Sequence, residues 1–263
     1  MRRVAFTIVL NGLKHLTRND KMKWMSETFD EVVVVEGACG RKSKDSWYNP
    51  IPEKFHHNGS SIDGTVEFLS SLPHKNITVL HADKVWDSKL EMVNSALGVL
   101  VGAPAFLWEV DADEYWRTDD IARTEKELMF SGADCSRHYM NTYCGPGLLV
   151  KGMWGEALSD PVRRCWIWNG SSLFSSHSPP ILHRSINNHV NENVRFEHYS
   201  YYYREDVEFK DSIYKGHGGM LQKWDALQKA TDFPRPICDL LTGPRSTLPG
   251  EIIKIKRNKN ENS

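Results

Sequence analysis

The sequence predicts an α/β protein built on a mixed, mainly parallel central sheet, with an irregular, aromatic-rich C-terminal half. Three observations predict it. Short apolar runs at 4–10, 31–36, 77–80 and 105–108 have the length and unbroken character of strands covered on both faces. The segments between them carry apolar residues at helical spacing. Beyond about residue 140 that spacing fades and the aromatics thicken, through Tyr143, Trp154, Trp166, Trp168, Phe174, Phe196 and Tyr199.

Residues 4–10 read as the first strand, ending at Asn11-Gly12, where a turn sets polar groups at the sheet edge. Asp20 reads as the N-cap of a helix whose Met22, Met25 and Phe29 face the core. Residues 31–36 are the second strand, closed by Glu36-Gly37, so the first 36 residues form a βαβ unit. Asn11 and Glu36 then adjoin at the carboxyl edge, where open α/β sheets bind ligands. Residues 38–61 hold Lys42, Lys44, Trp47, Tyr48, Pro50 and Pro52, a long functional or mobile loop. Asp63 opens a helix that runs to Leu72, Pro73 breaks it, and 77–80 is a third strand. Ser88 and Glu91 match a capping box, and Leu90, Val93, Leu97, Leu100 and Val101 make one stripe on the helix that follows. Gly102 and Pro104 stop it just before the 105–108 strand. Thr118 or Asp119 starts a helix ended by Gly132, 134–139 is a strand, and helices return at 206–215 and 220–230. The charged, Asn-rich residues 254–263 read as a flexible tail.

With 263 residues and a net charge of -1, the chain suits a single large domain and shows no global bias towards nucleic acid or anionic membrane. No 18-residue apolar stretch exists to span a membrane. Met1-Arg2-Arg3 precedes too short an apolar run, broken by Asn11, for a signal peptide. The five cysteines form an odd set without Cys-x-x-Cys spacing, which points to a reducing, cytoplasmic setting and away from zinc. Asn58, Asn76 and Asn169, in Asn-x-Ser/Thr triplets, then carry no weight.

The stretch that carries chemistry is Phe106-Leu107-Trp108-Glu109-Val110-Asp111-Ala112-Asp113-Glu114-Tyr115-Trp116, a buried strand that ends in four acids. On an extended segment Asp111 and Asp113 project the same way. Two carboxylates about 5 Å apart repel by roughly 3 kcal/mol at an effective dielectric near 20. A divalent cation with a preference for oxygen ligands, Mg²⁺ or Mn²⁺, cancels that repulsion and commonly brings a diphosphate with it.

With these motifs in this order the chain resembles GT-A type, family-two-like glycosyltransferases, whose scaffold is a single Rossmann-type α/β domain bearing an Asp-x-Asp motif. The resemblance covers roughly residues 4–215. It rests on the 4–10 strand with Asn11, on Phe29-Asp30-Glu31-Val32-Val33-Val34-Val35-Glu36, on Glu109-Val110-Asp111-Ala112-Asp113-Glu114, on Arg163-Arg164-Cys165-Trp166-Ile167-Trp168-Asn169-Gly170 running to His177-Ser178-Pro179-Pro180, and on Phe196-Glu197-His198-Tyr199-Ser200-Tyr201 with Lys210 and Tyr214-Lys215. It implies a UDP-sugar or related donor. On it Asn11 and Glu36 would hold the nucleoside, Asp111, Asp113 and His198 would hold Mn²⁺ or Mg²⁺, and Arg163 or Arg164, or Lys215, would add phosphate contacts. The acceptor-side base has no clear match, with Glu156 and Asp160 as its candidates. On this reading 1–140 is the nucleotide-sugar-binding half, 141–253 the acceptor-binding half of the same domain, and 254–263 the tail.

The acceptor is left open between a glycan and a hydroxymethylated base in DNA, the latter motivated by phage enzymes of similar class and by Lys42, Lys44, Lys254, Lys256, Arg257 and Lys259. Three other readings compete. A haloacid-dehalogenase-like phosphohydrolase uses an Asp-x-Asp nucleophile, but that motif stands near the N-terminus, and Tyr115 fills the place of its Thr or Val. A sugar nucleotidyltransferase carries a Gly- and Arg-rich loop after its first strand, unlike Asn11-Gly12-Leu13-Lys14. A non-catalytic carbohydrate-binding module uses its aromatics for recognition alone.

Overall fold

The computed structural model describes residues 1–40, 49–81, 83–151, 161–177, 180–182, 187–214, 218–241 and 250–255. The N-terminal half runs β1 (Arg2–Val9), α1 (Leu13–Thr17), α2 (Lys21–Thr28), β2 (Glu31–Glu36), α3 (Thr65–Ser70), β3 (Ile77–Leu80), α4 (Lys89–Leu100), β4 (Ala105–Glu109), β5 (Glu114–Tyr115) and α5 (Thr118–Ser131). The C-terminal half continues with β6 (Cys135–Tyr143), β7 (Leu148–Lys151), β8 (Val162–Trp168), β9 (Phe174–His177), β10 (Pro180–Leu182), β11 (Asn188–His198), α6 (Arg204–Ile213), α7 (Met220–Lys229), β12 (Arg235–Pro236) and β13 (Glu251–Lys254).

The α/β mixed sheet expected from the sequence is present. β3, β2, β1 and β4 lie in that order and run parallel. β8 pairs antiparallel with β4, and β6 antiparallel with β8. β11 runs parallel to β6 and ends antiparallel to the short β5. β7, β13 and β12 extend the sheet beyond β6, and β9 with β10 makes a separate hairpin. The strands after β6 carry no unbroken apolar run in sequence, because partly exposed polar residues interrupt them, as in Asn188–His198.

Strand periodicity explains the layering. Along β2, Val32 and Val34 face α2 and α5 with Met22, Met25, Phe29, Ile121 and Leu128, whereas Val33 and Val35 face α4 with Met92, Val93, Leu97 and Leu100. A third apolar cluster joins Leu148, Val150 and Ile252 to Trp224 and Leu227 of α7. The helix caps are legible locally. Ser88 accepts from the Glu91 amide at 3.1 Å, and Gly132 ends α5 with φ +65°. Two expectations need correction. Asp20 precedes α2 in a left-handed conformation (φ 50°) and makes no side-chain cap, and Val101 is 60 % exposed because α4 ends one residue earlier. The cysteines are all free.

His138 shows how tightly the sheet is covered. It is fully buried, lies near-parallel to Trp108 and edge-on to Trp116, and its Nε2 is 2.9 Å from the Ser136 hydroxyl. Burial pushes its pKa down to about 3. A folded-state value below the unfolded one means that the neutral imidazole stabilises fully above pH ~6.5, and that this stability is lost as pH falls towards 3. Urea unfolding is therefore expected to lose about 2 kcal/mol between pH 7.5 and 5 from this group alone. His138→Gln should flatten that part of the profile; an unchanged slope would show that the imidazole already accepts its proton in the fold.

Candidate functional site

The chain leaves β1 for β2 and β3 on one side, then crosses to β4 on β1's other flank. The carboxyl ends of β1 and β4 thus face a topological switch point, where connections diverge and leave a crevice. Three stretches meet along this edge: Asn11 after β1, Glu36 at the end of β2, and the acids that follow β4.

Asn11 and Glu36 are joined through one loop. The Ser61 amide donates to Glu36 Oε1 at 2.7 Å, and the Asn11 amide donates to the Ser61 hydroxyl at 2.8 Å. The Asn11 side chain, on a left-handed backbone (φ 51°), donates to the Phe55 carbonyl and accepts from the Ile62 amide. Its amide is therefore spent on holding the loop. Glu36 is fully buried, and its Oε2 has no hydrogen-bond partner and lies 3.7 Å from His81 Nδ1.

The segment after β4 is a turn rather than an extended strand, closed by the Glu114 amide donating to the Asp111 carbonyl at 3.0 Å. Asp111 and Asp113 consequently meet different cations. Asp111 Oδ2 pairs with Arg164 Nη2 at 3.0 Å. Asp113 Oδ2 lies 3.5 Å from His198 Nε2 and 4.0 Å from Lys210 Nζ. β11 makes the second meeting possible, because its pairing with β5 sets His198 opposite Glu114 and ties the Tyr199 amide to the Asp113 carbonyl.

Four acids close together persist because cations surround them. Arg164 grips Glu114 through Nε and Nη2, at 2.9 and 2.6 Å to Oε1, and approaches Glu109 at 3.8 Å. His177 Nε2 is 3.1 Å from the other Glu109 oxygen. Burial works against the Asp113 carboxylate, but the His198 charge and hydrogen bond, with Lys210 and His15, outweigh it and hold its pKa well below the usual range. Glu114 goes the other way. Burial lifts it to about 7 despite Arg164, and the Asp111 charge adds to the rise. Arg164 stays protonated because Glu114, Asp111 and Glu109 overcome its own burial. Burial also lowers Lys21 to about 8 against the pull of Glu114, Asp113 and Asp111.

The structure thus brings Asp111, Asp113 and His198 to one edge with Glu36 and Asn11. Arg163 is the exception, because side chains alternate along a strand. It points away and donates to Asn188 Oδ1 at 3.0 Å, whereas its neighbour Arg164 enters the acidic cluster. Glu156, Asp160 and Lys215 lie outside the described residues, as do Lys42 and Lys44, Trp154, and Lys256, Arg257 and Lys259 of the tail. Lys21 and the pairing of His177 with Glu109 also belong to the cluster; in sequence neither pairing is visible, and Lys21 is one more surface-type lysine next to Asp20.

Among the described residues no three His, Cys, Asp or Glu side chains form a ready cation cage. The Asp113–His198 pair still suits a Mg²⁺ or Mn²⁺ ion that takes its other ligands from phosphate and water, the usual arrangement for such ions in phosphate chemistry. His198 faces Asp113 through Nε2, and its other ring nitrogen, Nδ1, is buried without a hydrogen-bond partner.

No helix of the described residues is long and apolar enough to cross a membrane. No family model matches the chain, and no curated protein matches it in sequence. Among solved structures it is similar to S. aureus TarS, at 14 % identity and a TM-score of 0.49 over 86 % of this chain and 42 % of that one. TarS 1-349 gives 19 % identity and a TM-score of 0.39 over 56 % of this chain, and its complex with UDP-GlcNAc 18 % and 0.36 over 54 %. The chain spans between 35 and 42 % of the length of these three. Identities and TM-scores this low leave the activity to be argued from the geometry of the site.

Proposed function

We propose that this chain is a glycosyltransferase that moves a sugar from a nucleoside diphosphate sugar, a UDP-sugar, to an acceptor hydroxyl. The observation that carries the reading is the Asp111–Glu114 turn at the β1/β4 switch point, with Asp113 set against His198 and Lys210. In such transfer the bond from the sugar's anomeric carbon to the diphosphate breaks, a bond to the acceptor oxygen forms, and the hydroxyl proton passes to a base. The demand on the protein is to bind and neutralise a leaving diphosphate. Asp113 and His198 would hold Mn²⁺ or Mg²⁺, which supplies counter-charge to that leaving group. Lys210, held by the Ser200 carbonyl at 2.7 Å, adds a fixed positive charge beside them. Glu36, buried at the end of β2 with Oε2 beside His81 but without a hydrogen-bond partner, would accept from a nucleoside hydroxyl or ring N–H. Asn11 supports the 55–62 loop beside it. Glu156 or Asp160 is the expected base.

A phosphohydrolase reading uses Asp111 as nucleophile, whereas Asp111 Oδ2 is engaged by Arg164, and Tyr115 stands where that motif has Thr or Val. The transfer reading is therefore preferred. Glycan and hydroxymethylated-DNA acceptors differ in one measurable respect, because DNA binding weakens steeply with salt.

Thermal unfolding with UDP, UDP-GlcNAc, GDP, CMP and ADP, each with Mn²⁺ or EDTA, tests the proposal. One nucleotide at about a hundred times its dissociation constant should stabilise the protein by about 2.7 kcal/mol, a shift of several degrees, with metal only. No shift with any nucleotide would sink it and move the phosphohydrolase and binding-module readings forward.

A further inference from the structure

Lys21 is the first residue of α2, and its side chain sits in the interior at 1 % exposure. A buried ammonium is costly unless every donor finds an acceptor. Here Nζ donates to three main-chain carbonyls, of Asp111 at 2.6 Å, Ala112 at 2.9 Å and Glu114 at 2.6 Å. All three belong to the acidic turn, and one of them, Asp111, is also the acceptor of the turn's own closing hydrogen bond. Local backbone geometry delivers the lysine there. Asn19 and Asp20 take left-handed conformations (φ 52° and 50°), which kink the chain just before α2, and Met22, next to Lys21, is buried in the core. The Tyr115 hydroxyl adds a second tie, to the His15 carbonyl at 2.7 Å, and the ammonium lies 5.0 Å from the Tyr115 ring.

We propose that Lys21 is a positioning residue of the donor site: its three hydrogen bonds fix the 111–114 turn so that Asp111 is directed to Arg164 and Asp113 to His198. What the turn binds rests on the glycosyltransferase reading; that Lys21 shapes the turn does not. A point charge with three diverging donors suits three converging carbonyls, and the planar fork of arginine does not. Lys21→Met keeps the length of the stem and removes every donor.

The test measures two quantities on wild type, Lys21→Met, Lys21→Arg and Met25→Ala. Met25 is buried one turn along the same helix and serves as a control for stability loss. The first quantity is amide hydrogen exchange of the peptide spanning 110–116. The second is the affinity for UDP with Mn²⁺, at a temperature where each variant is folded. Lys21→Met is expected to exchange at least tenfold faster in this peptide and to bind at least tenfold more weakly, with Lys21→Arg impaired in the same direction. Met25→Ala should stay within twofold of wild type in both. Wild-type exchange or affinity in both lysine variants overturns the proposal, as does an equal effect of Met25→Ala. Should Lys21→Met not fold, Lys21→Arg against Met25→Ala decides by the same criteria. Should wild type bind no nucleotide, the glycosyltransferase reading fails, and the exchange comparison alone decides whether Lys21 shapes the turn.

Discussion

Asp113→Ala is expected to lower donor turnover at least a hundredfold and to abolish metal-dependent stabilisation by nucleotide, with the protein still folded. The measurement is UDP released from the sugar nucleotide, with water as surrogate acceptor, beside thermal unfolding with and without Mn²⁺. A hundredfold loss corresponds to about 2.7 kcal/mol of transition-state stabilisation. Asp113 carries the prediction because it is the one acid of the four whose carboxylate faces His198 and Lys210 rather than Arg164. Burial disfavours its charge, and the neighbouring cations nevertheless keep it ionised. Its removal leaves His198 and Lys210 partly exposed to water rather than stranded, so the cost to the fold should be small. Asp113→Asn separates charge from shape. Loss of turnover in both variants supports a ligand role, whereas full activity in either refutes it.

Arg164→Met should destabilise the fold by about 3–5 kcal/mol, the usual consequence of removing one partner of a buried ion pair. The guanidinium serves Glu114 in two-point contact, Asp111 at 3.0 Å and Glu109 at 3.8 Å, and Glu114 is fully buried. Without it the buried Glu109 and Glu114 lose their counter-charge, and Glu114, already raised to about 7, must take up a proton to remain buried. Arg164→Lys should recover only part of the loss, since an ammonium cannot reproduce the bidentate grip. The double variant Arg164→Met with Glu114→Leu should lose less than the sum of the two single changes, because the charge left unpaired by the first is removed by the second. Urea unfolding of the four proteins reads the coupling. Strict additivity would mean that the pair does not act as a unit.

The sequence alone determined the N-terminal scaffold and the location of the acids. β2 (Glu31–Glu36) and β3 (Ile77–Leu80) match the expected bounds, the Ser88 and Gly132 caps stand where their chemistry placed them, and Asn11, Glu36 and Asp111 do share one edge. These features follow from local rules of apolar period, cap chemistry and chain continuity. Tertiary structure alone decided the partners. That Arg164 rather than Arg163 enters the cluster, and that Lys21 lies beneath the 111–114 turn, depend on side-chain contacts between residues 50 to more than 90 positions apart in sequence. A charged side chain carries no mark of its future partner, and the same lysine or arginine reads as surface until the sheet folds it in. Strand order, set by contacts distant in the chain, is therefore what gave a run of acids separate partners for Asp111 and Asp113.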